Sequence, residues 1–199
     1  MADFPKVSDE EKQIARFLEE RFSGRPRFFI HRDSAEDDFY VAVAVKEDYP
    51  APGLVTCATN GISNFPLYDS DGTIYAATRL ELVSTCRPGQ EEGLREMLFF
   101  AGRTVVKQRW LCAPGIFLLD AVSRFGAFGD MAHLYFTTPF AQEGFESSMF
   151  GDRRVSWLTA IPVSTAEMNF ARENSTEALE DHFVEQDVDC ENLTRRSSV

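Results

Sequence analysis

The sequence predicts a single α+β domain in which a mixed, mainly antiparallel sheet is covered by two to four helices. The chain has 199 residues, which suits one domain better than two. Short runs of β-branched and aromatic residues, separated by turn residues, predict strands. Stretches with apolar residues at helical spacing interrupt these runs. Runs of strands broken by helices in this order are typical of α+β proteins.

The chain starts with a predicted amphipathic helix. Ser8 and Glu11 match a capping box, and apolar residues follow at helical spacing, namely Ile14, Phe17, Leu18 and Phe22. Gly24 and Pro26 then end the helix. We expect residues 1–26 to form a helix packed on a domain made of residues 27–199.

The middle of the chain predicts strands and one central helix. Residues 27–33 and 39–47 predict a hairpin, with the polar sequence SAEDD between its strands. Two further strands are expected within residues 54–59 and 73–86, around a loop at residues 60–72. An i, i+3, i+4 apolar stripe within residues 90–110 predicts the central helix.

The carboxyl-terminal third predicts an apolar segment at residues 116–122 and strands within residues 133–140 and 155–163. Ser164 and Glu167 match a second capping box, and the helix that follows is expected to continue to about Gln186. The final residues, 191–199, predict a tail that either frays or docks.

Charge and composition exclude several classes of protein. With 20 Lys+Arg against 32 Asp+Glu, the net charge of −12 argues against nucleic acid and favours a cationic protein partner. The amino terminus lacks the basic and apolar start of a secretory signal, and the most apolar stretch is too short to span a membrane. Four scattered cysteines without a CxxC pair indicate buried free thiols in a reducing compartment. We therefore expect a cytoplasmic protein that binds no membrane.

Candidate catalytic and metal-binding residues are few. Cys57 and His133 form the nucleophile and base pair that would serve a hydrolase, although a buried cysteine and a satisfied polar histidine explain them better. Asp181, His182 and Glu185 could ligate a metal, but they lack an HExxH spacing and are better explained as a solvated helix face. Phosphate-binding glycine loops are missing from the sequence. We thus predict no catalytic residue, no metal site and no cofactor.

The acidic carboxyl-terminal helix is the most unusual feature of the charge pattern. Residues 167–191 carry nine acids against Arg172, which is −8 of the total −12. One hypothesis is a surface that steers a basic partner, made of Glu177, Glu180, Asp181, Glu185 and Asp187. The alternative is a solvated helix face that serves solubility alone.

The loop after the third predicted strand has two interpretations. Gly61 stands where a tight turn requires positive φ, which makes the loop a determinant of the fold. The alternative is that Asn60 and Asn64 contact a partner, since loops on a rigid scaffold often carry binding residues.

Several sequence blocks resemble the suppressor of fused-like domain family. ATNGISNFPL followed by RLELVST is similar to a signature of that family. CAPGIFL, MAHLYFTTPF and the run from Trp157 to Val199 resemble later blocks of its bacterial single-domain members, in the same order. The resemblance extends from about Arg27 to Val199.

This resemblance implies an α+β domain with a protein-binding role and without known catalytic residues. Animal members restrain a transcription factor with the help of a second domain, whereas bacterial members are associated with toxin systems as immunity proteins. The first hypothesis is therefore a cytoplasmic, non-enzymatic immunity protein or antitoxin that binds a basic toxin domain. The second is a general peptide- or protein-binding scaffold, and the third is a hydrolase that uses Cys57 or His133.

Overall fold

The computed structural model describes residues 7–34, 39–75, 78–126 and 128–199. Within them a mixed sheet has the strand order β1-β2-β3-β6-β10-β8-β7, with β9 paired to β10 and a separate hairpin of β4 and β5. The strands are β1 Arg27–His31, β2 Val41–Glu47, β3 Val55–Asn60, β4 Leu67–Tyr68, β5 Ile74–Tyr75, β6 Arg79–Cys86, β7 Phe117–Leu118, β8 Met131–Thr137, β9 Ser148–Phe150 and β10 Arg153–Ser164. The helices are α1 Asp9–Arg21, α2 Glu91–Lys107, α3 Thr165–Glu173 and α4 Thr176–Glu185.

Helices cover both faces of the sheet. The apolar stripe of α2, which includes Leu94 and Met97, packs on one face over residues such as Val43 and Leu82. The opposite face is shared: α1 covers Val83 and its neighbours, and α3 with α4 covers the part of the sheet around Ile161. The pairing of β6 with β10 is parallel, and the other described strand pairs are antiparallel. The predicted α+β class is confirmed.

The first helix begins where the capping box places it. The Ser8 side chain accepts a hydrogen bond from the Glu11 backbone N–H, and the Ser8 N–H donates to the Glu11 carboxylate. Ile14 and Leu18 are fully buried against the sheet. Phe17 stacks on Trp157 at a centroid distance of 5.7 Å. These contacts pack α1 on the sheet, while the domain boundary at residue 26 stays a prediction.

The predicted hairpin is confirmed, because β1 pairs antiparallel with β2 from Arg27 opposite Val45 to His31 opposite Val41. The connection between β1 and β2 lies largely outside the described residues.

Residues 60–86 differ from the prediction. The expected long strand at residues 73–86 is instead β5 and β6, and the expected loop at residues 60–72 contains a 3-10 turn, Ile62–Asn64, and β4. β9 was not predicted, since its three residues are too short to produce a readable pattern.

The predicted single helix from Ser164 to about Gln186 is wrong, because two helices occupy this stretch. The Asn174 side chain donates to the Phe170 carbonyl, and the Ser175 side chain accepts from the Ala178 N–H as the N-cap of α4. Short polar side chains compete for backbone groups in this way and favour caps over helix interiors. The Asn-Ser pair therefore ends α3 and starts α4.

The carboxyl-terminal tail docks. Arg195 is buried beside the fully buried Glu167 of α3; its Nη1 forms an ion pair with Oε1, and its Nη2 donates to Oε2 at 2.9 Å. Ser198 donates to the same carboxylate through its N–H and its hydroxyl, at 3.0 and 2.9 Å. Glu167, the capping-box residue of α3, thus also holds the end of the chain in place. This second role could not be predicted from the spacing of residues.

Gly61 is required by the turn after β3, and we expect Gly61→Val to lower the free energy of unfolding by about 1–3 kcal/mol. Its φ is +136°, and a Cβ there would lie 3.0 Å from the Tyr40 carbonyl oxygen. A β-branched side chain meets both the backbone strain and this contact. Urea denaturation measures the effect, and a wild-type midpoint would contradict it. Gly53→Val is the control for backbone strain alone, because φ is also positive there, at +79°, but nothing lies within 4 Å of the added Cβ; it should destabilise less than Gly61→Val.

Candidate functional site

The loop that carries the family-like signature is held by a buried carboxylate. Glu81 is 0% exposed in β6. Its Oε1 accepts from the Gly61 N–H at 2.8 Å and from the Ser63 N–H and hydroxyl at 3.0 and 2.7 Å. Its Oε2 accepts from the Thr59 hydroxyl at 2.6 Å. Burial raises the pKa of Glu81, and these hydrogen bonds oppose that shift. Thr59, Gly61 and Ser63 of the signature therefore stabilise the fold.

Asn60, at the end of β3, and Asn64, in the turn that follows, have internal partners. Asn60 is 4% exposed and its Nδ2 donates to the Glu11 carbonyl at 2.9 Å. Asn64 is half-buried and its Oδ1 accepts from the Arg153 Nη1 at 3.3 Å. The burial of Asn60 argues against direct contact with a partner, and Asn64 orients an arginine.

The acidic residues of α4 fall into two groups. Glu177, Asp181 and Glu185 are exposed and recur every four residues along one side of the helix, and Asp187 is exposed just beyond it. No lysine or arginine in the described ranges forms an ion pair with these four carboxylates. Glu180 differs, because it is half-buried and accepts from the hydroxyls of Tyr135 and Thr137 at 2.7 and 2.6 Å. Glu180 therefore stabilises the packing of α4 on β8 through these hydrogen bonds.

Two adjoining grooves share Thr138 and Phe140, and α4 lines one of them. The large groove, of about 900 Å³, lies among the β4–β5 hairpin, residues 111–114 and residues 138–147. The α4 groove, of about 440 Å³, lies between Phe140 and α4. Phe140 is 62% exposed, and Val184 on the α4 groove is 81% exposed. Sequence analysis missed Phe140, since nothing in the pattern of residues distinguishes it from a core phenylalanine.

Carboxylates dominate the charge around both grooves, which together we call the Phe140 surface. The large groove is lined by Asp69, Glu143, Glu146 and Arg79, and the α4 groove by Glu180, Asp187 and Glu191. An apolar surface with this negative rim suits a partner segment that combines apolar and basic side chains.

Cys57 and His133 are not brought together. Their strands, β3 and β8, are separated in the sheet by β6 and β10, so they lie three strand spacings apart, roughly 14 Å. Cys57 packs in the core under α2, and burial raises its pKa well above the ordinary value. His133 Nδ1 accepts from the Asp120 N–H at 2.9 Å, and its Nε2 is 3.1 Å from the Thr165 hydroxyl in α3. The pair therefore cannot act as nucleophile and base.

The candidate metal ligands on α4 also point apart. His182 Nε2 is 3.1 Å from the Ser198 carbonyl oxygen, which directs the ring at the docked tail, whereas Asp181 and Glu185 are exposed. Among the residues that the structure describes, no group of three His, Cys, Asp or Glu side chains is placed to hold a metal ion. In the same ranges, no helix is both long and apolar enough to cross a membrane.

The structure is an α+β domain with two open surface grooves, the kind of concave surface at which ligand and partner sites usually lie. The chain belongs to the suppressor of fused (SUFU) family, whose model matches residues 36–196. It is 27% identical over 195 residues to the immunity protein YqcF of Bacillus subtilis (strain 168), covering 97% of this chain and 99% of that protein.

Solved structures share the fold. A crystal structure of a SUFU homologue from Neisseria gonorrhoeae FA 1090 matches with a TM-score of 0.65 and 16% identity, covering 96% of this chain and 97% of that one. The crystal structure of the Sufu-Fu complex matches with a TM-score of 0.66 and 11% identity, covering 96% of this chain and 91% of that one. The predicted family is confirmed.

Proposed function

We propose that this protein is an immunity protein that neutralises a basic toxin domain by stoichiometric binding, without catalysis. The observation that carries the proposal is the Phe140 surface, where exposed apolar side chains are rimmed by carboxylates. Similarity to the immunity protein YqcF along nearly the whole chain supports the same role. The separation of Cys57 from His133 removes the pair on which a hydrolase interpretation depended.

The partner's chemistry follows from the charges. The rim of the two grooves holds six carboxylates against Arg79. The stripe of Glu177, Asp181 and Glu185 extends this negative field along α4. Such a field accelerates the approach of a cationic protein, and Phe140 and Val184 supply apolar contacts after docking. The proposed occupant of the Phe140 surface is therefore a basic segment of the toxin with apolar side chains.

We expect Phe140→Ala to weaken binding of the toxin by about thirtyfold or more, because truncating a central aromatic contact typically costs about 2 kcal/mol or more. The probe is the product of the neighbouring reading frame. Co-expression of wild-type protein with this probe in a bacterial host should restore growth. Calorimetric titration of the two purified proteins should give a 1:1 stoichiometry and the affinity of each variant.

Phe28→Ala is the matched control for this experiment. Phe28 is 40% exposed on β1, at the edge of the sheet formed by that strand, and it lines neither groove. Its replacement should change the affinity less than twofold. Absence of protection by the wild type would refute the immunity role. Protection that survives Phe140→Ala unchanged would place the binding surface elsewhere, and capture of short peptides without protection would favour a general scaffold.

We expect the triple change Glu177→Gln, Asp181→Asn and Glu185→Gln to slow association several-fold at low salt. These exposed charges act through solvent, so the difference should disappear at high salt, where the Debye length falls to about 3 Å. Glu180 is left intact because its replacement would break the hydrogen bonds to Tyr135 and Thr137. Stopped-flow kinetics at two salt concentrations give the measurement.

The control for the salt experiment removes three exposed charges from other elements: Glu20→Gln, Asp71→Asn and Glu92→Gln. Both triple variants have the same net charge. An equal fall in on-rate for both would mean that only total charge matters. An on-rate that is indifferent to salt would assign the acidity of α4 to solubility.

A further inference from the structure

Three arginines line one cleft in this acidic chain. A polar cleft of about 830 Å³ lies at the start of β6 and β10, beside the β9–β10 turn, and Arg79, Arg153 and Arg154 line it. The cleft is separate from the α4 groove, and Arg79 also lines the large groove. A chain with a net charge of −12 has no general excess of cations that would bring three arginines together.

Strand pairing fixes the arginines in place. Arg79 opposes Val155 in the parallel pairing of β6 with β10. Arg153 precedes Val155 by two residues and therefore points to the same side of the sheet as Arg79. The Nη1 of Arg153 donates to the Asn64 Oδ1 at 3.3 Å, which holds this guanidinium in position. Arg79 and Arg153 are thus held on paired strands, and the exposed side chain of Arg154 lines the same cleft.

One nitrogen of the Arg79 guanidinium lacks an acceptor. Its Nη1 is buried and has no hydrogen-bond partner among the described residues. Burial, and next the nearby charge of Arg153, lower the pKa of Arg79. A buried donor without an acceptor is unfavourable, and so is the proximity of two like charges. An anion bound in the cleft would accept a hydrogen bond from the Arg79 Nη1 and would reduce the repulsion between Arg79 and Arg153.

The carboxylates of the cleft do not provide that anion. Glu10 and Asp152 line the cleft with the arginines. Within the described ranges, neither carboxylate comes within 4.0 Å of a guanidinium nitrogen of the three arginines. The arginine charges therefore remain available to a ligand.

We propose that Arg79, Arg153 and Arg154 form a binding site for an oxyanion, either a phosphate or a carboxylate. Guanidinium groups donate paired hydrogen bonds to both kinds of anion. A free phosphate compound and an acidic side chain of a protein partner are the two sources of this chemistry. The site does not depend on the proposed immunity function.

Calorimetric titration with inorganic phosphate and, separately, with acetate tests the proposal, with chloride used to keep the ionic strength constant. We expect wild-type protein to bind at least one of the two anions. Arg154→Gln should weaken that binding about tenfold, as expected for the loss of one charge-assisted contact. Arg153→Gln should have a similar effect, and unfolding by urea checks that both variants are folded.

Arg172→Gln is the control, because Arg172 is exposed on α3 and does not line the cleft. Binding of phosphate alone supports a phosphate ligand, and binding of acetate supports a carboxylate side chain. The proposal fails if neither anion binds more tightly than chloride. It also fails if Arg154→Gln and Arg153→Gln, both folded, bind as well as Arg172→Gln.

Discussion

Replacing Glu81 with Leu is expected to lower the free energy of unfolding by on the order of 4 kcal/mol or more. Leucine is similar in volume but accepts no hydrogen bond. The backbone N–H groups of Gly61 and Ser63 and the Ser63 hydroxyl would remain buried without their acceptor, and the Thr59 hydroxyl would keep only the Leu82 carbonyl at 3.3 Å. Each unsatisfied buried donor costs about 1–3 kcal/mol, so the loss is a large part of the stability of an ordinary domain.

Glu81→Gln is the matched variant. Its amide oxygen can accept from Gly61 and Ser63 as the Glu81 Oε1 does, and its amide group can donate to the Thr59 hydroxyl. We expect it to lose about 1 kcal/mol. Chemical denaturation of both variants gives the measurement. If Glu81→Gln is as unstable as Glu81→Leu, the carboxylate charge matters more than the hydrogen bonds.

Replacing Arg195 with Met is expected to destabilise the docked tail by about 3–5 kcal/mol, because it leaves Glu167 buried without its cation. Methionine keeps an apolar chain against the ring of Phe183, over which the Arg195 guanidinium lies at 5.3 Å. Hydrogen exchange at the Ser198 N–H should accelerate, since that group donates to the same carboxylate.

Arg196→Met is the control for this change, because Arg196 is exposed beside Arg195. It should leave both stability and exchange nearly unchanged. Adding Glu167→Gln to Arg195→Met should recover part of the loss, since the buried charge is then removed. A tail that exchanges equally fast in the wild type and in Arg195→Met would show that the ion pair does not hold it.

The same pair predicts a dependence on pH. Burial acts to raise the pKa of Glu167, but the ion pair with Arg195 and the backbone hydrogen bonds outweigh it, so the pKa lies below its ordinary 4.5. A lowered pKa in the folded state gives stability that is complete above 4.5 and is lost as the pH falls through the folded value. The stability difference between wild type and Arg195→Met should therefore narrow in acid.

Local patterns made much of the fold predictable. The capping boxes at Ser8 and Ser164, the first hairpin and the central helix follow from neighbouring residues, and all four are present. The family was predictable from ordered blocks of sequence. Prediction failed where a feature is short, as in β9, or where side chains interrupt a helix, as at Asn174 and Ser175.

The candidate site was less predictable, because the role of each residue depends on distant partners. Glu180 belongs to an acidic run in the sequence, yet it bonds Tyr135 and Thr137 across 45 and 43 residues. Asn60 was expected in a loop, yet it ends β3 and is buried against α1. Phe140 is exposed because residues 138–147, which follow β8, line an open groove instead of entering the core.

The sequence by itself determined the helix starts, the first hairpin, the fold class and the excess of negative charge, since each depends on composition or on the spacing of neighbouring residues. Only the tertiary structure decided which charges are free. Glu81 and Glu167 became buried anchors, while Asp181 and Glu185 stayed in solvent. Burial and pairing depend on which strands and helices meet, and those contacts join residues that are far apart in the chain.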